Sequence, residues 1–305
     1  MPLRDMNQAQ RFFQDHAVEL GVEKANLVVW QMRSKLSQPE WRDAVQSLRS
    51  SSVFDTLQTD PYTRRAFTRP RGYAGDATML DYLYRLHPED TDDELDEKAW
   101  RIFLYTVNSN AGKAVRYRRT YLAQLIDETG ANHHNARVLS IAAGHLREVE
   151  LSAAVQEGKV SEIVALDQDA ESLKRIEQDY SHLPIRTVQA SVRHLLAGKA
   201  GMGHFHFVYA AGLFDYLEDS VATRLVERMW AMTHPGGRMM IANFLPDIPD
   251  AGYMEAFMDW WLIYRDEEQA RKLFSTIAPA QIASMKVEFD PGKNICFVVA
   301  QKAGA

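Results

Sequence analysis

Two short segments of this sequence carry residues whose types and spacing could hold an adenosine nucleotide. The first is the run of small residues Ala142, Ala143 and Gly144, which lies between an apolar stretch and a stretch of helix length. Small residues let a ligand approach the backbone, and the N-terminus of the following helix offers free N–H groups. The second is Asp167, which ends the next apolar stretch. A carboxylate there, about 20 residues after the glycine, can accept both ribose hydroxyls.

The nucleotide could be a nicotinamide dinucleotide or S-adenosylmethionine. The dinucleotide contains a pyrophosphate, and its fingerprint needs three glycines in the loop after the first strand. Only Gly144 is present in this loop. The pattern therefore favours S-adenosylmethionine as the cofactor, and a methyltransferase over an oxidoreductase.

The elements that would position these residues form an α/β arrangement. After residue 135, apolar runs alternate with stretches of helix length, which is typical of βαβ units in a parallel, doubly wound sheet. Strands are predicted at 137–142, 162–166, 185–189, 206–210 and 238–242, and a terminal hairpin at 285–289 and 295–300. The hairpin would complete the seven-stranded sheet of a Rossmann-like methyltransferase. Helices are predicted at 146–156, 170–180, 219–233, 253–261 and 267–275.

The residues before 135 predict helices and almost no strand. The predicted helices are 6–36 in one or two segments, 39–48, 77–86 after the N-cap Asp76, and 97–128 with a break near 108–112. Residues 50–75 predict an irregular stretch, and 87–96 a solvated loop. We therefore predict a helical N-terminal domain at 1–112 that covers the substrate, and a cofactor-binding methyltransferase domain at 113–305.

Five segments resemble the motifs of class I S-adenosylmethionine-dependent methyltransferases. They are RVLSIAAGHLREVE at 137–150, IVALDQD at 163–169, ASV at 190–192, FVYAAGLFDYL at 207–217 and HPGG at 234–237. The resemblance covers residues 115–302 and implies the seven-stranded fold with S-adenosylmethionine as cofactor. It implies cofactor contacts for Ala142, Ala143, Gly144, Arg147, Asp167, Gln168, Ser191, Val192, Ala211 and Gly212.

Two of the charged residues in these motifs have structural alternatives. Arg147 could form a salt bridge below the methionine moiety, or it could pair with Glu148 or Glu150 on the helix surface. Asp169, two residues after the ribose candidate, could simply be the N-cap of the next helix.

Three segments resemble a narrower bacterial subfamily, which includes proteins that make 3-hydroxy fatty acid methyl ester quorum signals. The segments are RGYAGD at 71–76, GLFDYL at 212–217 and DWWLIYR at 259–265. The chain departs from the usual pattern of that subfamily at Ala143, where cysteine is common, and at His145, where proline is common. A loop that binds through its backbone should tolerate both changes.

These segments and the end of strand five supply catalytic and substrate-binding candidates. The catalytic candidates are Tyr73 and Asp76, in a loop that could close over the methyl donor, and Asp215 and Tyr216, after strand four. The substrate candidates are Asn243, Phe244, Trp261, Tyr264 and Arg265.

The last of these candidates is a guanidinium, which can hold a substrate carboxylate through two parallel hydrogen bonds. Arg265 could equally pair with Glu267 or Glu268, in which case it would have no functional role. The aromatic candidates have a similar alternative, because aromatic residues at helical spacing often belong to a core.

Composition excludes several classes of function. Hydrophobic residues make up 46% of the chain and charged residues 25%, which is ordinary for a globular protein. The net charge of −6 gives no reason to bind nucleic acid or an anionic membrane. The single cysteine, Cys296, excludes an intrachain disulfide, and the ten histidines show no metal-binding pattern. The polar start and the lack of a long apolar run predict a cytoplasmic protein without a signal peptide or membrane span.

The sequence leaves the methyl acceptor open. The leading hypothesis is a small-molecule oxygen, such as the carboxylate of a hydroxy acid or a secondary metabolite. A carboxylate is already ionised at neutral pH and needs no general base, whereas an amine would need one. The alternatives are N-methylation of a small amine and a non-catalytic module that binds S-adenosylmethionine. Aromatic residues of the first part could serve a homodimer as well as a pocket.

Overall fold

A computed structural model describes residues 2–87, 95–198 and 202–304. Its α-helices are α1 Pro2–Gln14, α2 Val18–Lys35, α3 Gln38–Leu48, α4 Ser52–Leu57, α5 Pro61–Thr68, α6 Ala77–Arg85, α7 Glu97–Val107, α8 Asn110–Asn132, α9 Ala153–Gln156, α10 Ala170–Asp179, α11 Val192–Leu196, α12 Asp219–Met232, α13 Ala251–Phe257 and α14 Glu267–Lys272. Its strands are β1 Ala136–Ile141, β2 Val160–Asp167, β3 Ile185–Gln189, β4 Phe205–Ala210, β5 Thr233–Phe244, β6 Ile282–Phe289 and β7 Ile295–Lys302. In the described part of the chain, no helix is both long and apolar enough to cross a membrane.

The chain divides into two compact units. One, the helical unit, contains Met1–Arg116 and Asp247–Trp261. The other, the sheet unit, contains Tyr117–Pro246 and Leu262–Ala305. The boundary at 116 lies close to the expected one at 112. The segment Asp247–Trp261 groups with the helices of the first unit, although the sequence suggested that it belongs to the second.

Buried hydrogen bonds hold this inserted segment within the helical unit. Glu255 in α13 is 2% exposed. Its carboxylate accepts hydrogen bonds from Nε of Arg33 at 3.0 Å and from Nε1 of Trp41 at 2.6 Å. Because these donors lie in α2 and α3, Glu255 ties α13 to two N-terminal helices.

The prediction of an irregular stretch at 50–75 was wrong, because α4 and α5 lie within it. Ser51 caps α4 by accepting from the backbone N–H of Phe54, and Asp60 caps α5 in the same manner. Pro61 occupies the first position of α5, where its missing N–H costs nothing. Helices of six and eight residues are too short to show a clear apolar period, so their capping residues were the readable signal.

The second unit contains a seven-stranded sheet with the order β3-β2-β1-β4-β5-β7-β6. Strands β1 to β5 pair in parallel, and β7 pairs antiparallel to both β5 and β6. Each predicted strand overlaps an observed one, so the predicted fold class is confirmed. Central strands are covered on both faces, since the successive residues Phe207 and Val208 of β4 point to opposite faces and both are fully buried.

The single helix predicted at 146–156 was wrong. Leu146 has a left-handed backbone, with φ of 54°, and is followed by a 3₁₀ turn at Arg147–Glu150. The helix α9 begins only after Ser152, whose side chain accepts from the N–H of Val155. The loop expected at 87–96 lies mostly outside the described residues.

A stack of imidazole rings lies at the amino ends of β4 and β5. The His206 and His234 ring centroids are 5.0 Å apart in parallel planes, and the His133 ring lies 4.6 Å from that of His206. Nδ1 of His206 accepts the backbone N–H of Arg137 at 3.0 Å. Burial, together with the nearby histidines and Arg137, lowers the pKa of His206 to about 4. Among the described residues, no group of three or more His, Cys, Asp and Glu side chains could hold a metal ion.

This stack predicts a loss of stability in acid. Because the folded pKa of His206 lies below the unfolded value of about 6.5, the unfolded chain takes up the proton first. Stability should therefore fall as pH falls from about 6.5 through about 4. Urea unfolding at about pH 7 and about pH 4.5 should show a smaller acid-dependent loss for His206→Asn, which keeps an acceptor atom near Nδ1. The same change at the exposed His182 should leave the wild-type loss intact; equal losses in all three proteins would contradict this prediction.

Candidate functional site

The strand order creates a crevice at the carboxyl ends of the parallel strands. The order reverses between β1 and β4, because β1 continues to β2 on one side while β4 continues to β5 on the other. Ligands of doubly wound sheets bind at this switch point, in the loops that follow the strands. The residues after β1, β2, β3, β4 and β5 are therefore the candidate site.

The loop after β1 has an unusual backbone. Ala142, Gly144 and Leu146 all have left-handed φ angles, of 55°, 54° and 54°. Only glycine adopts this conformation without strain, and strained backbone often marks a binding loop. Hydrogen bonds hold the loop, from the N–H of Ala143 to the carbonyl of Leu166 at 3.1 Å and from that of Leu146 to the carbonyl of Ala143 at 2.9 Å.

Asp167 joins this loop to the end of β2. Its side chain is nearly buried, with 6% of the residue exposed. Oδ2 accepts the N–H of Gly144 at 2.8 Å, and Oδ1 accepts the N–H of Asp169 at 2.9 Å. Burial raises the pKa of this carboxyl, and the two N–H donors oppose that rise. A carboxylate has about four acceptor positions, so capacity remains for a pair of ribose hydroxyls.

The two residues that follow Asp167 have different environments. Asp169 is the N-cap of α10, because its carboxylate accepts the N–H of Glu171 at 3.1 Å and the hydroxyl of Ser172 at 2.7 Å. Gln168 is exposed beside it. The structural alternative for Asp169 therefore holds, and the carboxylate available to a nucleotide at this position is that of Asp167.

The loop after β3 lies beside the same strand end. The N–H of Ala190 donates to the carbonyl of Asp167 at 2.8 Å. Ser191 is the N-cap of α11 and exchanges hydrogen bonds with His194, while Val192 packs against the core of the unit. The resemblance implied cofactor contacts for both residues, and these contacts stay a prediction.

Asp215 occupies a buried polar position after β4. Its Oδ1 accepts the N–H of Phe244 at 2.7 Å and Nδ2 of Asn243 at 2.9 Å, and its carbonyl accepts the N–H of Ile263. Burial raises the pKa of Asp215 to about 6. The neighbouring Tyr216 is exposed. Asn243 and Phe244, expected at a substrate, are 1% and 3% exposed and help to hold Asp215.

Arg265 does not have the role expected from the sequence. The residue is 2% exposed, and its five N–H groups are all used within the unit. They donate to the carbonyls of Phe214 and Leu217, to Oδ1 of Asn243 and twice to Oδ1 of Asp219, at 2.5–3.0 Å. No N–H group of this guanidinium is therefore left to bind a substrate carboxylate. The acidic partner of Arg265 is Asp219, whereas the sequence suggested Glu267 or Glu268.

Arg147 lies in a second internal network. It is 2% exposed, and its Nη1 contacts Oδ2 of Asp179 at 2.6 Å, the hydroxyl of Tyr180 at 2.9 Å and Oε1 of Glu150 at 3.1 Å. These contacts tie the turn after β1 to the end of α10. The pair with Glu150 was one of the alternatives for Arg147, but the side chain is buried and does not lie on the helix surface, and its shorter ion pair is with Asp179. We leave Arg147 out of the proposed cofactor site.

Three of the predicted site residues belong to the helical unit. Asp76 is the N-cap of α6, is 1% exposed and pairs with Nε of Arg65 at 2.9 Å, so its carboxylate has a structural role. Nε1 of Trp261 donates to Oδ1 of Asp259 at 2.8 Å. Tyr73 is half-buried in the loop before α6. Their participation in a site stays a prediction, as does that of the half-buried Tyr264.

Sequence reasoning missed charged residues at the switch point. Arg118 in α8 is 6% exposed and donates from Nη1 to the carbonyl of Ala211 at 2.7 Å. Glu148, 7% exposed, accepts the hydroxyl of Tyr209, and burial raises its pKa. The only signal for Arg118 was the run Arg116–Arg119 in a predicted helix, which resembles an ordinary solvated face.

Comparison with known proteins bears on the fold. No protein-family model and no curated protein matches the chain. Among solved structures, a possible exported protein from Bordetella parapertussis matches 75% of this chain and 80% of its own, with a TM-score of 0.60 and 16% identity. The likeness shows a shared fold.

Two further structures have lower scores. The pyocyanin biosynthetic protein PhzM has a TM-score of 0.49 at 15% identity, over 82% of this chain and 69% of its own. The N-methyltransferase NodS from Bradyrhizobium japonicum WM9, in complex with S-adenosyl-L-homocysteine, has a TM-score of 0.46 at 15% identity, over 73% and 99%. The conclusion on fold therefore rests on the Bordetella protein and on the strand order.

Proposed function

We propose that the sheet unit binds S-adenosylmethionine and that the protein transfers its methyl group to a small molecule. The observation that carries this proposal is the Asp167 carboxylate, which ends β2 and accepts the N–H of Gly144 in the loop after β1. It combines an acceptor for ribose hydroxyls with a left-handed loop that a ligand can approach closely. The seven-stranded order with the antiparallel β7 supports the same function.

Each part of the site would contact a different part of the cofactor. Asp167 would hold the ribose, the backbone of 142–144 would face the methionine end, and Ser191 and Val192 would border the adenine. Ala211 and Gly212, directly after β4, would lie near the sulfur. The bound cofactor supplies an activated methyl group, so the protein mainly has to orient the acceptor and exclude water. We assign the covering of the acceptor to the helical unit, with Tyr73 and Trp261 as candidate contacts.

We propose an oxygen acceptor, and first a carboxylate such as that of a hydroxy acid. Asp76, a catalytic candidate whose carboxylate could act as a base, is used by Arg65 and by the N–H of Met79. A carboxylate acceptor is ionised at neutral pH and needs no base. The quorum-signal subfamily, a homodimer, a cytoplasmic location and the lack of nucleic-acid or membrane partners remain predictions.

One observation favours an amine as the second candidate. Burial raises the pKa of Asp215 to about 6, which suits a general base near neutral pH. With an amine acceptor, whose own protonation already lowers kcat/KM as pH falls, the fall should steepen below about pH 6, because protonated Asp215 cannot remove a proton. A carboxylate acceptor should show no such fall, so profiles between about pH 5 and about pH 8 with one acceptor of each class separate the candidates. The same fall with both acceptor classes would contradict a base role for Asp215.

Calorimetric titration of S-adenosylmethionine and S-adenosylhomocysteine into the 305-residue chain tests the proposal. We expect micromolar binding of both, and failure of the folded protein to bind either would contradict it. S-adenosylhomocysteine release is then measured with hydroxy acids, other carboxylic acids and amines. Tight binding without turnover of any acceptor would favour a non-catalytic binding module.

A further inference from the structure

The guanidinium of Arg118 is buried. Arg118 is 6% exposed, and within the described part of the chain its side chain makes a single hydrogen bond, from Nη1 to the carbonyl of Ala211. Among residues 2–87, 95–198 and 202–304, no carboxylate oxygen lies within 4.0 Å of it. The buried Arg147 and Arg265 differ, since each pairs with an aspartate, at 2.6 and 2.8 Å. A buried charge is costly unless it is paired, so Arg118 calls for an anionic ligand.

Arg118 lies at the switch point of the sheet. Its guanidinium is close to Gly212, where an added Cβ would be 3.6 Å from Nη1. The next residue, Arg119, donates from Nε to the carbonyl of Arg147, just beyond the loop after β1. This part of α8 therefore contacts the chain after both β1 and β4, the two strands between which the order reverses.

We propose that Arg118 binds the α-carboxylate of S-adenosylmethionine and so selects cofactors with an intact amino-acid end. This inference rests on the proposed function. A guanidinium binds a carboxylate through charge-assisted hydrogen bonds in a planar, paired geometry. The bound carboxylate would supply the hydrogen-bonded anion that no described residue provides within 4.0 Å of this guanidinium. Glu148 and Asp215 are buried acids that interact with Arg118 electrostatically but do not form an ion pair with it. Beside these two acids, a ligand carboxylate could bind only next to a cation such as Arg118.

The experiment compares two ligands that differ in the amino-acid end. S-adenosylhomocysteine has the carboxylate, whereas 5′-methylthioadenosine keeps the adenosine and the sulfur without it. Both are titrated calorimetrically into wild type, Arg118→Met and Arg118→Lys. We expect Arg118→Met to weaken S-adenosylhomocysteine roughly 10- to 100-fold, as for a lost charge-assisted bond, and to leave 5′-methylthioadenosine within about threefold. Arg118→Lys keeps the charge and should bind S-adenosylhomocysteine more tightly than Arg118→Met does. If Arg118→Met does not fold, the same comparison of the two ligands is made with Arg118→Lys.

Arg119→Met is the matched control, because Arg119 is a neighbouring arginine with an ion pair to Glu150 at 2.5 Å. It should change the affinities of the two ligands by the same factor. Equal weakening of both ligands by Arg118→Met would overturn the proposal, since Arg118 would then only support the pocket. Unchanged affinity for both would also overturn it and would point to a carboxylate of the acceptor. Wild-type protein that binds neither ligand would overturn the proposed function itself.

Discussion

Asp167→Ala is expected to weaken S-adenosylmethionine binding roughly 100-fold, about 2.7 kcal/mol. The variant would lose the two charge-assisted hydrogen bonds between the carboxylate and the ribose hydroxyls. The variant also releases the N–H of Gly144, which holds the loop after β1 against the end of β2. Because both effects act on the same ligand, this substitution should have the largest effect on cofactor affinity among the site residues. Calorimetric titration at constant salt measures it.

Two further variants test whether the loss belongs to Asp167 itself. Asp169→Asn keeps an N-cap for α10, since asparagine caps as well as aspartate, and should bind within about threefold of wild type. Asp167→Asn should bind nearly as weakly as the alanine variant, because it removes the charge while keeping the shape. Wild-type affinity in a folded Asp167→Ala protein would remove the ribose anchor from the proposal.

Arg265→Met is expected to lower the free energy of unfolding by about 4 kcal/mol, because two buried acceptors and one half-buried acceptor lose their donors. These acceptors are the carbonyls of Phe214 and Leu217 and Oδ1 of Asn243. Methionine fills similar space without replacing any of these hydrogen bonds. Urea unfolding followed by far-ultraviolet circular dichroism measures the change.

A substitution of Asp219, the acidic partner of Arg265, provides the control for this prediction. The side chain of Asp219 is 79% exposed, so Asp219→Asn should cost less than about 1 kcal/mol. A small loss in Arg265→Met combined with a raised KM for a carboxylate acceptor would contradict the structural role. That result would restore the substrate-binding role that the sequence suggested.

The strands and the turn after β1 could be predicted because their signals are local. A strand buried on both faces is a short apolar run, and Gly144 and Asp167 directly follow such runs. The helices α4 and α5 could not be predicted from periodicity, since each is shorter than the window in which an apolar period becomes visible.

The roles of the buried arginines could not be predicted from adjacent residues. The hydrogen-bond partners that define them are distant in sequence: Asp179 lies 32 residues from Arg147, Phe214 lies 51 from Arg265, and Ala211 lies 93 from Arg118. In the chain, each arginine has acidic or basic neighbours that resemble an exposed helix face. Only burial against these distant partners distinguishes a structural arginine from one that can bind a ligand.

The sequence by itself determined the α/β class, the strand positions and the Gly144–Asp167 pair, since apolar runs and strand-end residues depend on adjacent positions. The tertiary structure alone decided which charges have partners. It assigned Asp76, Arg147 and Arg265 to internal hydrogen bonds and left Arg118 without a carboxylate among the described residues. The physical reason is that burial removes water as the alternative partner, so each charge depends on groups that folding brings from distant parts of the chain.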